Sequence, residues 1–240
     1  MPRLAPLLLL PCLSLCLAAC GASTSGAPVL PSPTHAAPAP RIAAPAPGAY
    51  AALGASETYG MGASPTSRGY AYRLARALHA RRFVDPAIPG SPLHDAYDAE
   101  LTAALAIRPS LATVFFGFND LRTGVTLSAF LSDLRDLVTT LRRARARVLV
   151  IGLPNLALLP AVRRVFPGAG GIVRTWNNGM RRVALAAGAR YLDLSAYSAE
   201  LATHPGYIAA DGLHPSNRGH ARLAQVVENA IWHDHLWPRP

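Results

Sequence analysis

Three features of the sequence predict an α/β domain built on a parallel sheet. Short apolar runs alternate with longer stretches of helical periodicity. The clearest runs, Leu111 to Phe116 (LATVFF) and Val148 to Ile151 (VLVI), are continuously apolar, as strands buried on both faces are. Polar clusters follow the runs, where open parallel sheets place their ligands.

In chain order, Tyr50 to Leu53 predicts a weak first strand and Arg82 to Val84 a short second one. LATVFF and VLVI follow as the third and fourth, and Tyr191 to Leu194 (YLDL) as a fifth. Helical stripes lie between them. One covers Arg68 to Arg81; another runs through Leu127, Phe130, Leu131, Leu134, Leu137, Val138 and Leu141 at three- and four-residue steps. A third spans Ile172 to Ala187 and stops at Gly188, and the last starts near Asn217 with Leu223, Val226, Val227, Ala230 and Ile231 on one face. These stripes read as core. No internal repeat interrupts the pattern, and about Ala49 to Pro240 is one domain's worth of chain.

The start of the chain has a different composition. Arg3 precedes a mostly apolar run from Leu7 to Leu17, too short to span a bilayer, which reads as a secretory signal over residues 1–19. All 3 cysteines (Cys12, Cys16 and Cys20) fall in or next to it, so a mature chain starting at Cys20 forms no internal disulfide and no cysteine metal site. Residues 20–48 then run through Ala, Pro, Ser, Thr and Gly, with too little apolar surface to offset ordering, and read as a tether. The formal charge is +10 and all 23 basic residues are arginine. Coding bias accounts for that, or attraction to an anionic envelope surface. No basic stripe interleaved with aromatics appears, so nucleic acid is not an expected partner.

Three polar clusters carry chemistry. Ser56, in "GASETYG", follows the first strand and precedes a helix, where a hydroxyl can meet backbone N–H groups and the positive end of a helix dipole. Alone, a serine beside Gly and Thr is more often a turn or cap residue. Asn119 and Asp120 follow the third strand in "FFGFNDL"; the amide is a candidate oxyanion donor, and the pair is also a plausible helix cap. Asp211 and His214 lie in "AADGLHPSNRGH". Serine needs a base near neutral pH, imidazole has the right pKa, and a carboxylate must fix its tautomer. Pro215 delays the final helix, keeping His214 in a loop. His220 falls on that helix, where a packing or surface role is expected.

Two resemblances join these clusters. Leu17-Ala18-Ala19-Cys20 followed by Gly21 resembles a bacterial lipobox, which implies cleavage before Cys20 and lipidation of its thiol; an ordinary signal peptide with an incidental cysteine is the alternative. From about Tyr50 to Ile231 the chain resembles the SGNH hydrolases, or GDSL-type esterases and lipases. "GASET" matches the first block, "AIPGSPLHD" the second, "GFND" the third and "DGLHP" the fifth, in family order. The resemblance implies a three-layer α/β/α sandwich with a flavodoxin-like parallel sheet. It implies Ser56 as nucleophile, His214 as base and Asp211 as its partner. The oxyanion donors would be the N–H groups of Ser56 and Gly90 and the amide of Asn119. No metal or other cofactor is expected. The implied activity is hydrolysis of acyl esters (short-chain, acetylated-glycan or lysophospholipid) outside the cytoplasm, with the lipid anchor holding the enzyme at a membrane. The family usually has Asp before the serine, and Ala55 stands there instead. The triad stays whole, but the nucleophile turn loses a supporting group, so a catalytically weak envelope-binding module is the alternative. Tyr59, Met61, Phe118 and Leu213 flank the blocks as candidate pocket residues; the oligomeric state is not legible.

Overall fold

A computed structural model of the chain describes residues 44–238. The expected signal peptide, Cys20 and the tether as far as residue 43 lie outside the described residues. In chain order the main elements are β1 (Ala49–Gly54), α1 (Ser56–Tyr59), α2 (Tyr70–Ala77), β2 (Arg82–Val84), α3 (Leu93–Ala106), β3 (Leu111–Phe115) and α4 (Phe118–Thr123). There follow α5 (Leu127–Arg143), β4 (Arg147–Ile151), α6 (Pro160–Val165), α7 (Ala169–Ala186), β5 (Arg190–Leu192), α8 (Ser195–Thr203) and α9 (Asn217–His233).

The strands form one sheet in the order β2-β1-β3-β4-β5, with every neighbouring pair parallel. This is the flavodoxin-like order, in which the chain turns from one direction across the sheet to the other beside β1 and β3. Side chains alternate between the two faces of each strand. Tyr50, Leu111, Phe115, Leu149 and Ile151 pack on one side with Leu74 of α2 and Leu223, Val227 and Ile231 of α9. Leu53, Val114, Val148 and Val150 pack on the other with Leu93 of α3, Phe130 and Leu134 of α5, and Met180 of α7. Burial on both faces explains the continuous apolar runs, and each such side chain contributes about 1.5–3 kcal/mol by leaving water. The result is the expected three-layer sandwich.

All five expected strands form, β5 ending at Leu192 rather than Leu194. The first helical stripe yields α2 over Tyr70–Ala77 only, because His79 adopts a left-handed φ of 48° beyond it. The periodicity does not reveal α3 at all. Leu93, Tyr97, Leu101 and Leu105 pack against the core at four-residue steps, but Glu100 interrupts that face, and Ala99, Ala103 and Ala106 blur its contrast with the outer one. Among the described residues, no helix is long and apolar enough to cross a membrane.

Candidate active site

The carboxyl ends of β1 and β3 bring the polar clusters to one crevice. Gly54 ends β1 beside Phe115 of β3, so close that a Cβ there would lie 2.7 Å from the Phe115 carbonyl oxygen. Ser56 then opens α1 and is only 6% exposed. As the first helical residue it has no carbonyl one turn earlier, which makes its N–H one of the helix's free donors. Its Oγ donates to the Glu57 carboxylate at 3.3 Å. The turn closes at once, with the N–H groups of Gly60 and Met61 donating to the Ser56 carbonyl at 3.1 and 2.9 Å.

Across the crevice, His214 Nδ1 lies 2.7 Å from Asp211 Oδ2. Asp211 Oδ1 also accepts the N–H groups of Leu213 and His214 at 2.9 and 3.0 Å, in a turn that Gly212 makes possible with φ 73°. Partial burial opposes the charge on Asp211, but the His214 hydrogen bond and the two N–H donors outweigh it and hold the carboxyl below its usual range. An ionised Asp211 fixes the imidazole proton on Nδ1 and leaves the Nε2 lone pair free. The loop is anchored where Ala161 donates to the Gly212 carbonyl at 3.0 Å. It abuts the serine turn, since a Cβ on Gly62 would lie 2.9 Å from His214 Cβ.

His220 fastens the same turn from below. It is fully buried; its Nδ1 accepts the Tyr70 N–H at 3.2 Å and its Nε2 donates to the Met61 carbonyl at 2.8 Å. Burial lowers its pKa to about 4, so it is neutral. The packing role expected for it is the one observed.

The third wall carries Gly90 and Asn119. Gly90 has φ 82° and nothing within 4 Å of where a Cβ would sit, so its backbone is open to a ligand. Asn119 is 5% exposed and donates one Nδ2 hydrogen to the Ser91 carbonyl at 3.2 Å. Arg122 orients that amide by donating from Nε to Asn119 Oδ1, and reaches the Gly90 carbonyl through Nη2, both at 3.4 Å. Asp120 accepts the Leu93 N–H at 3.0 Å, and burial raises its pKa. Ser91 adjoins Gly90 inside the second block and Arg122 follows Asn119 by three residues, but the hydrogen bonds that link the two segments span 28 and 32 residues, which no local spacing shows.

One pocket opens beside these groups. It is lined by Ala55 and Glu57, which flank Ser56, and by Ser91, Asn119 and His214. Leu153, Leu156, Leu159 and Leu194 add apolar wall. Phe118 and Leu213 line it too, whereas Tyr59 and Met61 are solvent-exposed. A neighbouring groove of about 380 Å³ shares Phe118, Leu156 and Leu213 with the pocket and adds Val162, Val165 and Phe166. Among the described residues, no group of three or more His, Cys, Asp or Glu is placed to hold a metal ion.

Comparison with known proteins agrees with this geometry. A lipase/acylhydrolase from Enterococcus faecalis superposes with a TM-score of 0.64 at 21% identity, covering 76% of this chain and 95% of that one. An acetylxylan esterase from Geobacillus stearothermophilus gives 0.64 at 18% identity, covering 79% and 96%. The esterase EstA from Pseudoalteromonas gives 0.63 at 15% identity, covering 78% and 97%. At these identities the likeness shows the fold. None of the curated proteins matches the sequence. The family model of the GDSL-like lipases and acylhydrolases matches residues 52–222, from β1 into α9. The chain thus belongs to the GDSL-like lipase/acylhydrolase family, the SGNH hydrolases, and is a carboxylic-ester hydrolase.

Proposed function

We propose that this enzyme hydrolyses acyl esters through Ser56, His214 and Asp211. The observation that carries the reading is the Asp211–His214 pair at 2.7 Å, set against the serine turn with its Nε2 lone pair free. His214 takes the proton from Ser56 Oγ as that oxygen attacks the ester carbonyl, then returns it to the departing alcohol. The N–H groups of Ser56 and Gly90 and the second Nδ2 hydrogen of Asn119 stabilise the oxyanion. Water, activated by His214, then releases the acid. The Ser56–Glu57 contact is a resting arrangement that a bound ester displaces.

The apolar groove of about 380 Å³ beside the site supports an ester with an extended apolar acyl chain over an acetylated glycan. The acetylxylan esterase shares the fold, but the walls here are mainly leucine, phenylalanine and valine. We further propose export and lipid attachment at Cys20, resting on the leader sequence. Radiolabelled lipid precursor then enters the wild type but not Cys20→Ala.

The decisive test of the chemistry uses a fluorophosphonate probe and aryl esters. Wild type is labelled and turns over; Ser56→Ala is not labelled and loses roughly 10³-fold or more in kcat. Equal turnover in both would favour the reading of the fold as a binding module with incidental activity.

A further inference from the structure

The structure assigns Glu100 as the positioning residue that holds the nucleophile turn and the Gly90 loop in register. The assignment rests on the serine-esterase reading above and adds to it a group that no short motif contains.

Glu100 lies on the inner face of α3 and is 1% exposed. A carboxyl there is costly unless both oxygens are satisfied. They are, and by backbone groups only. Oε2 accepts the N–H of Gly54 at 2.9 Å, and Oε1 accepts the N–H of Ile88 at 3.1 Å. Gly54 is two residues before Ser56, and Ile88 is two residues before Gly90. One side chain therefore clamps the approaches to two of the three expected oxyanion donors.

The third donor is tied to the same helix. Asn119 holds the Ser91 carbonyl, two residues before α3, and Asp120 the N–H of Leu93, its first residue. Helix α3 thus acts as a common frame for all three loops, with Glu100 as its deepest attachment. The nucleophile turn has little means of its own to make this link. Gly54 has no room for a side chain, and Ala55 offers only a methyl group. The carboxyl that braces the turn comes from a helix more than forty residues away (|i−j| = 46). Asp85 supports the loop from the other end, where its Oδ1 accepts the Ala87 N–H at 3.2 Å.

The carboxyl is an acceptor at both ends, which supplies a discriminating variant. Glu100→Gln keeps size and one carbonyl oxygen, but its amide NH₂ must face a backbone N–H, donor against donor. A donor displaced by a fraction of an ångström lowers turnover more than binding, so kcat per fluorophosphonate-labelled site should fall about 10- to 100-fold with KM within about threefold. Affinity for a boronic-acid transition-state analogue should fall in parallel. A second variant leaves the core untouched: replacing the Ile88 amide with an ester, through the α-hydroxy analogue of isoleucine, deletes the single N–H. It should lower kcat per labelled site about tenfold. A merely structural Glu100 predicts fewer labelled sites and a lower Tm, with kcat per labelled site unchanged in both variants; that result overturns the assignment, while wild-type labelling and turnover leave the esterase reading intact. If the wild type itself neither labels nor turns over, the esterase reading fails and the assignment falls with it.

Discussion

Asp211 and Glu100 are both carboxyls that accept two backbone N–H groups, yet their surroundings drive them in opposite directions. The Asp211 side chain is 45% exposed, and its hydrogen bonds hold its pKa below the usual range. Glu100 is 1% exposed, and burial pushes its pKa up to about 8 despite its two N–H partners. Backbone donors favour the charge in both; solvent access decides the outcome. A carboxyl that must remain ionised beside an imidazole is left at the surface, whereas one that only fixes loops can be sealed inside. Changes at Asp211 should therefore act mainly on activity, with a small loss of stability from its hydrogen bonds, and changes at Glu100 on both.

The largest effect tests the Asp211 half of that contrast. In Asp211→Asn the amide can present a donor to His214 Nδ1, which favours the tautomer with the proton on Nε2 and removes the base. We expect kcat to fall on the order of 10³- to 10⁴-fold, with only a small fall in Tm because the half-exposed side chain is well screened. A loss below tenfold would detach Asp211 from the chemistry, and a large drop in Tm would make it a structural residue.

A smaller effect separates the buried groups by pH. Glu100 and Asp85 have pKa values raised to about 8 and about 7 by burial, so between their ordinary values and these the folded state holds more protons than the unfolded chain. Stability then falls as pH rises through that window. His220 behaves oppositely. With its pKa lowered to about 4, the unfolded chain holds the extra proton between pH 4 and 6.5, and stability is lost as pH falls through that range. Above about pH 6.5 only the carboxyls act, and Tm should decline toward pH 8. Glu100→Gln should flatten that decline, leaving the part due to Asp85, while His220→Ala should flatten the acid side and cost about 1–3 kcal/mol by orphaning the Tyr70 N–H and Met61 carbonyl. Unchanged slopes in Glu100→Gln would mean that the carboxyl is not proton-linked to folding.

The same contrast explains what the sequence makes legible. Asp211 and His214 stand three residues apart in one loop, so their pairing is written locally. The strands are legible because burial on both faces demands continuous apolar runs, as in LATVFF. Glu100 is hidden for two reasons. Its partners lie 46 and 12 residues away, and a charge within the core-facing side of α3 breaks the apolar periodicity by which a buried helix is read. Arg122 escapes for a related reason, because its contact with the Gly90 carbonyl spans 32 residues. Local chemistry is readable from spacing, whereas a clamp between loops becomes visible only once the sheet has brought them together.

The smallest effect concerns the groove, where neither carboxyl acts. Val165 is 80% exposed yet lines the apolar groove that continues from the pocket. An exposed apolar side chain on such a rim gains burial only when an acyl chain lies over it, at about 0.8 kcal/mol per CH₂ group covered. Val165→Ser should therefore raise KM for a decanoyl aryl ester about two- to fivefold and leave the acetyl ester unchanged. With the side chain in solvent, stability should stay within about 0.5 kcal/mol. Because the reacting atoms lie elsewhere in the crevice, kcat should not move for either ester. An equal loss on acetyl and decanoyl esters would mean that the groove does not hold the acyl chain, and the preference for extended apolar acyl groups would have to be abandoned.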